Sequence, residues 1–392
     1  MARILSVRRA RELLSALALA LFAAALLVFP TQSVDAAREG LRLCSSVIVP
    51  SLFPFFVLSG FCVELGLTHY LGRALEPLMR PLFRVGGACA SAFVLGIIGG
   101  YPVGARTAIA LYEKGEISRD EAERLLAFCN NCGPACIFGV VGAGIFASGT
   151  IGLLLYGVHI LASILVGVLF RFRGRTQSAA APHITVEAVS FSAAFTNAIR
   201  SALQSTLNIC AFVLFFTVFI RLLVLSGVLT AAASLLGTLL LPLGGSERWA
   251  EKLLIGAIEL SSGVASLSDA ALSLPGRLCL TAFVLGWAGL CVHCQVLSFL
   301  GSSGLSVRSY LGGKLLHGLI SALLMWLLAR VIPLPVPVST LYAEQIAALA
   351  GQSFTHALTA STISAAIVWA CFSLITLCFL QKGSGKARRK RI

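Results

Sequence analysis

Glu259 is a carboxylate in the middle of an apolar stretch of the chain, and a carboxylate in such a place is paired, protonated or used at an ion or proton site. Arg106, in an apolar stretch of the first half, is its natural charge partner, and a pair between them would equally serve as an internal salt bridge locking two segments together. Asn130 and Asn131 stand just before Gly133-Pro134, where a helix is interrupted, while His293 and Gln295 lie inside the apolar run from Leu278 to Leu300. With Tyr101 these residues offer donors and acceptors to a polar solute or a coupling ion. The competing reading is that Asn, Gln and Ser bond neighbouring helices, at about 0.6–2 kcal/mol per contact. For Thr107, Ser261 and Ser262 that second reading is preferred. His293 suits a proton relay or a packing role, and His159 and His317 are read as hydrogen-bonded packing residues.

Cys129, Cys132 and Cys136 in one half and Cys291, His293 and Cys294 in the other have spacings that elsewhere hold zinc or iron–sulfur clusters. Their apolar surroundings instead suit small side chains that let helices approach closely, so no metal and no cofactor is expected. Walker loops, paired aspartates, HExxH and G-x-S-x-G are all missing from the sequence, and the expectation is a protein that is not an enzyme.

These residues are carried by an all-α, polytopic membrane chain. Of 392 residues 58% are apolar and 12% charged, with a mean hydropathy of +0.93, more apolar surface than a soluble core requires. Ten apolar blocks of membrane length run over Leu13–Phe29, Cys44–Leu67, Ala88–Tyr112, Leu125–Ala147, Thr150–Phe170, Thr206–Leu229, Lys252–Leu272, Leu278–Leu300, Lys314–Ile332 and Thr362–Leu380. The net charge of +14 collects in short loops and tails, a topology signal and not a nucleic-acid footprint. Basic residues Arg3, Arg8, Arg9 and Arg11 and the tail from Lys386 to Arg391 put both termini in the cytoplasm. A cleaved signal peptide is the rival reading of the first block.

If all ten blocks crossed, Arg171, Arg173 and Arg175 would lie outside, against the charge rule. The third block contains Gly99, Gly100, Pro102 and Gly104, and the seventh contains Ser261, Ser262 and Gly263; both suit re-entrant or broken hairpins. About eight transmembrane helices plus two hairpins then place Arg73, Arg80, Arg84, Lys114, Arg119, Arg171, Arg173, Arg175, Arg308 and Lys314 in the cytoplasm and the loop from Pro333 to Ser361 outside. Arg38, Arg42, Arg248 and Lys252 stay on the outer side. Leu71 to Phe83 and Val186 to Gln204 suit amphipathic interfacial helices, the first kinked at Pro77 and Pro81. The run from Lys114 to Arg124 suits a solvated helix start capped by Ser118 and Glu121.

A faint internal echo recurs at an offset near 158 residues, as between His159-Ile160-Leu161-Ala162-Ser163 and His317-Gly318-Leu319-Ile320-Ser321. The expected organisation is two inverted repeats, 44–170 and 206–332. Before them stands 1–43, a cytoplasmic tail with the first span; 171–205 is a basic linker with an amphipathic segment, and 333–392 holds an outer loop, the last span and a basic tail.

The runs Pro50-Ser51-Leu52-Phe53-Pro54-Phe55, Gly99 to Ala105, Ile117 to Leu126 and Asn130 to Pro134 resemble sporulation integral membrane proteins of the YlbJ type, within the wider group of nucleoside-recognition or Gate domain proteins. The resemblance covers most of the chain and is sharpest over residues 50 to 146. It implies a bacterial cytoplasmic-membrane protein of an endospore former, needed for spore formation and cortex assembly. Broken helices independently favour a secondary-transporter-like permease for a small polar solute with a coupling ion. The alternative is a non-transporting scaffold that positions other sporulation membrane proteins. The lipid bilayer is the partner in either case.

Overall fold

The computed structural model describes residues 2–173, 190–241, 246–269 and 272–332, and among them every regular element is helical. The block Thr362–Leu380, the loop from Pro333 to Ser361, the basic C-terminal tail and most of the 171–205 linker lie outside the described residues. Helix α1 (Ala2–Val28) meets α2 (Pro30–Leu43) at a 98° bend, because Pro30 suits the first turn of a helix but has no N–H with which to continue the preceding one. A single π-helical turn, Cys44–Ile48, leads into α3 (Val49–Glu64). Helix α4 (Leu67–Phe83) buries Met79 and Phe83 along one face and tolerates Pro77 and Pro81 inside it.

The third apolar block is broken as its sequence suggests: α5 (Cys89–Gly99) and α6 (Val103–Glu113) are separated by Gly100 at φ 79°, Tyr101 and Pro102. The Gly86 N–H donates to Glu121 Oε1 at 2.8 Å, so the chain enters α5 and leaves α6 at one end of the bundle. Next comes α7 (Arg119–Leu126), followed by non-helical residues 130–133 and a wide helical coil, Ala135–Ile145. Helix α8 (Gly149–Phe170) then runs about 33 Å back, bringing Phe172 under Arg84, 5.4 Å from the guanidinium.

The second half begins with α9 (Phe191–Leu225), a continuous 35-residue helix that starts fifteen positions before the expected Thr206 and runs through the boundary drawn at residue 205. Its length of about 52 Å exceeds the hydrocarbon core. After α10 (Val228–Leu240) come α11 (Glu247–Ile258) and α12 (Leu260–Ser266), a second hairpin. Its break falls at Glu259, not at Ser261-Ser262-Gly263 as expected. Those three residues form the first turns of α12, where Gly263 packs directly on the Gly256 backbone. Helix α13 (Leu274–Trp287) and α14 (Gly289–Ser303) are also separate, although the eighth block reads as one unbroken span; Ala288 at φ 81° and Gly289 at φ 80° divide them. Last is α15 (Val307–Val331). Among the described residues four stretches, Gly149–Phe170, Phe191–Leu225, Leu274–Gly301 and Val307–Val331, are long and apolar enough to cross a membrane, and the bent α1–α2 pair adds a fifth if it is one span.

Contacts at the two ends fix how the hairpins face. Arg119 donates to the Gly304 carbonyl at 2.8 Å and the Ser306 N–H to Glu123 at 3.1 Å, so Arg84, Arg119, Arg171, Arg173 and Arg308 gather at one end, as the charge rule requires. At the other end Arg277 lies over Phe146 at 5.1 Å and donates to the Leu267 carbonyl at 2.6 Å, while Gly276 packs on Trp249. The second hairpin therefore starts and finishes there. The two hairpins open at opposite ends of the bundle.

The Ser118 capping box is present: the Ser118 hydroxyl meets the Glu121 N–H, and Glu121 returns to the Ser118 N–H at 3.0 Å. The helix is less solvated than expected, since Glu121 and Arg124 are buried; Glu121 also holds Gly86, and Arg124 Nε donates to the Asp120 carbonyl at 3.1 Å. Ser118→Ala is expected to cost about 1 kcal/mol, measured as a lowered midpoint in a detergent thermal melt.

Candidate functional site

Residues 127–133 leave helical geometry because two glycine pairs bring neighbouring backbones against them. Cβ atoms added at Gly96 and Gly104 would lie 1.7 and 1.9 Å from the Cys129 carbonyl oxygen, and one at Gly313 would lie 2.3 Å from that of Ala127. Gly100 meets Gly133 in the same way. The second hairpin repeats the arrangement, with Gly289 set against the backbone of Ile258 and Leu260. Each hairpin break thus rests on a second break, in the helix that follows it.

The centre of this arrangement is Lys314, which is 0% exposed. Its ammonium donates to the Asn130 carbonyl at 2.9 Å and to the Tyr101 hydroxyl at 2.9 Å, lies 3.3 Å from His317 Nδ1, and sits 4.8 Å from the Tyr101 ring. Tyr101 passes its own proton to the Leu285 carbonyl at 2.6 Å. His317 Nε2 meets the His159 carbonyl at 2.9 Å, the two imidazoles lie with centroids 4.3 Å apart and planes tilted by 37°, and His159 Nε2 accepts the Cys132 N–H at 2.9 Å. Lys314 was expected to be a cytoplasmic topology charge. Instead it lies about two turns inside α15, too deep to reach the bundle end where Arg308 sits, and it ties the first hairpin to the second half of the chain.

Polar groups continue from Lys314 toward the second break. The Asn130 carboxamide lies against the Tyr310 hydroxyl, and neither its oxygen nor its nitrogen has a well-aligned partner. Tyr310 meets His293 Nδ1 at 3.0 Å. The His293 ring packs edge-on to Trp287, whose indole N–H donates to the Ala257 carbonyl at 3.1 Å. Asn131 donates to the Phe128 carbonyl at 3.0 Å, while its side-chain oxygen, His159 Nδ1 and His293 Nε2 are buried without partners. Unpaired buried polar atoms of this kind cost about 1–3 kcal/mol each unless something meets them.

Glu259 is buried and accepts the Ser261 and Ser262 N–H groups at 2.9 and 2.6 Å, capping α12. It does not pair with Arg106, as had been expected. Arg106 instead donates to the Ser201 and Ser205 hydroxyls of α9 and faces Phe299, because its position on α6 turns it toward α9. Gln295 donates to Cys291 Sγ, 3.5 Å away on the same helix. Among the described residues the ten cysteines are free and no cluster of three metal-ligating side chains occurs.

The structure thus brings Tyr101, Asn130 and His293 into one cluster, places Asn131 next to it in the chain with its side chain on the Phe128 carbonyl, and leaves Arg106, Glu259 and Gln295 outside its direct contacts. The site residues missed in the sequence are Lys314 and Tyr310, while His159 and His317 are the buried, hydrogen-bonded residues expected, placed within this cluster. Tyr310, Lys314 and His317 are spaced i, i+4, i+7 on one helix face, a polar stripe that was legible.

Over 318 residues the chain is 31% identical to the sporulation integral membrane protein YlbJ of Bacillus subtilis (strain 168), covering 76% of this chain and 78% of that protein. The chain belongs to the YlbJ family of sporulation integral membrane proteins. The family model described as nucleoside recognition, Gate, matches residues 45–170 of this chain, the part that holds the first hairpin and Asn130. Two solved structures of CNTnw, a concentrative nucleoside transporter, share its fold. One, outward-facing, has a TM-score of 0.52 and covers 83% of this chain and 86% of its own; the other, in an intermediate state, has a TM-score of 0.51 and covers 84% and 87%. Both are 15% identical to the chain, so the likeness establishes a transporter-like helical membrane fold and nothing about a ligand.

Proposed function

We propose that this protein is a secondary-transporter-like permease of the cytoplasmic membrane that carries a small polar solute during bacterial spore formation, with cortex assembly as the process it serves. The observation that carries this reading is the pair of hairpins opening at opposite ends of the bundle, with buried polar groups running from Lys314 past Asn130, Tyr310 and His293 toward the second break. Two halves of opposite orientation, 44–170 and 206–332, account for that arrangement, and rocking of one against the other would expose the trail to each side in turn. Broken helices free backbone groups for a ligand, and a chain with no need for a cavity has little reason to keep Asn130, Asn131 and His293 partly unpaired at depth. Glu259, which orients the second break, is assigned to holding the gate on that side. Both termini are placed in the cytoplasm.

The test is a thermal-shift panel on the detergent-solubilised protein and its Glu259→Gln variant, covering nucleosides, amino acids, dipicolinate and cell-wall precursors. A solute at a hundred times its Kd is expected to stabilise the wild type by about 2.7 kcal/mol, and to do so much less in the variant, whose α12 loses one of its two capped N–H groups. A panel in which no solute moves the wild-type midpoint overturns the permease reading.

A further inference from the structure

We propose that the Lys314 ammonium is a tethered cation: it fills, on a four-carbon stem, a cation site built by the first hairpin and its neighbouring break, so that this site takes no free sodium or potassium ion. The inference deepens the permease reading by naming what holds the hairpin contact, and it rests on that reading only for the role of the site in transport.

The geometry is that of a cage. An ammonium has three protons and no acceptor, and three acceptors surround this one: the Asn130 carbonyl, the Tyr101 hydroxyl oxygen and His317 Nδ1. Two of them are fixed as acceptors by another bond, and the third is a backbone carbonyl, which can only accept. Tyr101 has committed its proton to Leu285. His317 faces a carbonyl through Nε2, which must therefore carry the ring proton and leave the Nδ1 lone pair for Lys314. Asn130 begins the non-helical segment 130–133, so its carbonyl has no place in a helical ladder. The Tyr101 ring adds its negative face. All of these donors of electron density are neutral, and among the described residues Lys314 makes no ion pair with a carboxylate. A hydroxyl and a carbonyl released by an unwound helix are the ligands that broken-helix transporters offer to small monovalent cations. Here a side chain from α15 brings the charge.

The experiment replaces the stem and offers the cation back. Wild type, Lys314→Ala and Lys314→Met are purified and melted in choline, sodium, potassium and propylammonium chloride at equal ionic strength, with no solute present. Choline is too bulky for the cage, whereas propylammonium is the fragment that the Ala substitution removes. The wild-type midpoint is expected to be the same in all four salts. Lys314→Ala is expected to melt lower by about 5 °C or more in choline and to recover at least half of that loss in propylammonium or sodium. Lys314→Met fills the stem's volume and should show no recovery. A folded Lys314→Ala that no cation stabilises overturns the proposal, as does a wild type that sodium stabilises over choline. If Lys314→Ala cannot be purified in choline, its yield in propylammonium becomes the readout, and equal failure in both salts also overturns it. Because no solute enters these melts, their outcome is independent of the solute panel, and either reading can fail alone.

Discussion

Gly104→Ala is expected to produce a protein that folds poorly or melts roughly 5–10 °C below the wild type. The added carbon would stand 1.9 Å from the Cys129 carbonyl oxygen and 2.9 Å from the Gly96 Cα. Both obstacles are backbone, so no rotamer change relieves them, and the hairpin and residues 127–133 must separate. Overpacking costs about 1–3 kcal/mol where side chains can yield; here the expected cost is at the top of that range or above. Gly157→Ala is the control, since nothing lies within 4 Å of its added carbon. In the middle of α8 that change should be neutral or stabilising by up to about 1 kcal/mol. Equal melting of the two variants would show that the close approach at Gly104 is not made.

Tyr101→Phe is expected to destabilise by about 2–4 kcal/mol, because removing one oxygen leaves two buried groups unpaired: the Leu285 carbonyl and one proton of Lys314. The ring is kept, so packing and the cation–π contact are unchanged, and the loss reports the hydroxyl alone. Combining Tyr101→Phe with Lys314→Met should cost less than the sum of the two, with a coupling of about 1–3 kcal/mol between residues from opposite halves of the chain. Additive melting temperatures would show that the two do not share a site.

The positions of the apolar blocks were legible because hydropathy depends on composition over a window of membrane length, which packing does not alter. The first hairpin was legible for a local reason as well. Gly99-Gly100-Tyr101-Pro102 combines residues that permit positive φ with one that cannot donate a hydrogen bond. The break at Ala288-Gly289 carries no such signature, since a single glycine in an apolar run is common in membrane helices. It becomes necessary only when the Ile258–Leu260 backbone packs against it. Glu259 reads from the sequence as a buried carboxylate, but its partners are the N–H groups two and three residues later, donors nearer than any distant Arg.

Lys314 shows most plainly where local reading stops. Counting basic residues treats every Lys near a block edge as a topology charge, and for Arg84, Arg119, Arg171 and Arg308 that treatment agrees with their gathering at one end. By itself the sequence determined a multi-pass helical membrane protein, the grouping of most of its loop charges and the presence of both hairpins, though not the residue at which the second one breaks, because each of these follows from composition or from residues adjacent in the chain. The tertiary structure decided that Lys314, Tyr101, Asn130, His159, His293, Tyr310 and His317 form one buried cluster. Their hydrogen bonds join positions as much as 213 residues apart, and a contact of that range is set by how helices pack and not by the residues along any one of them.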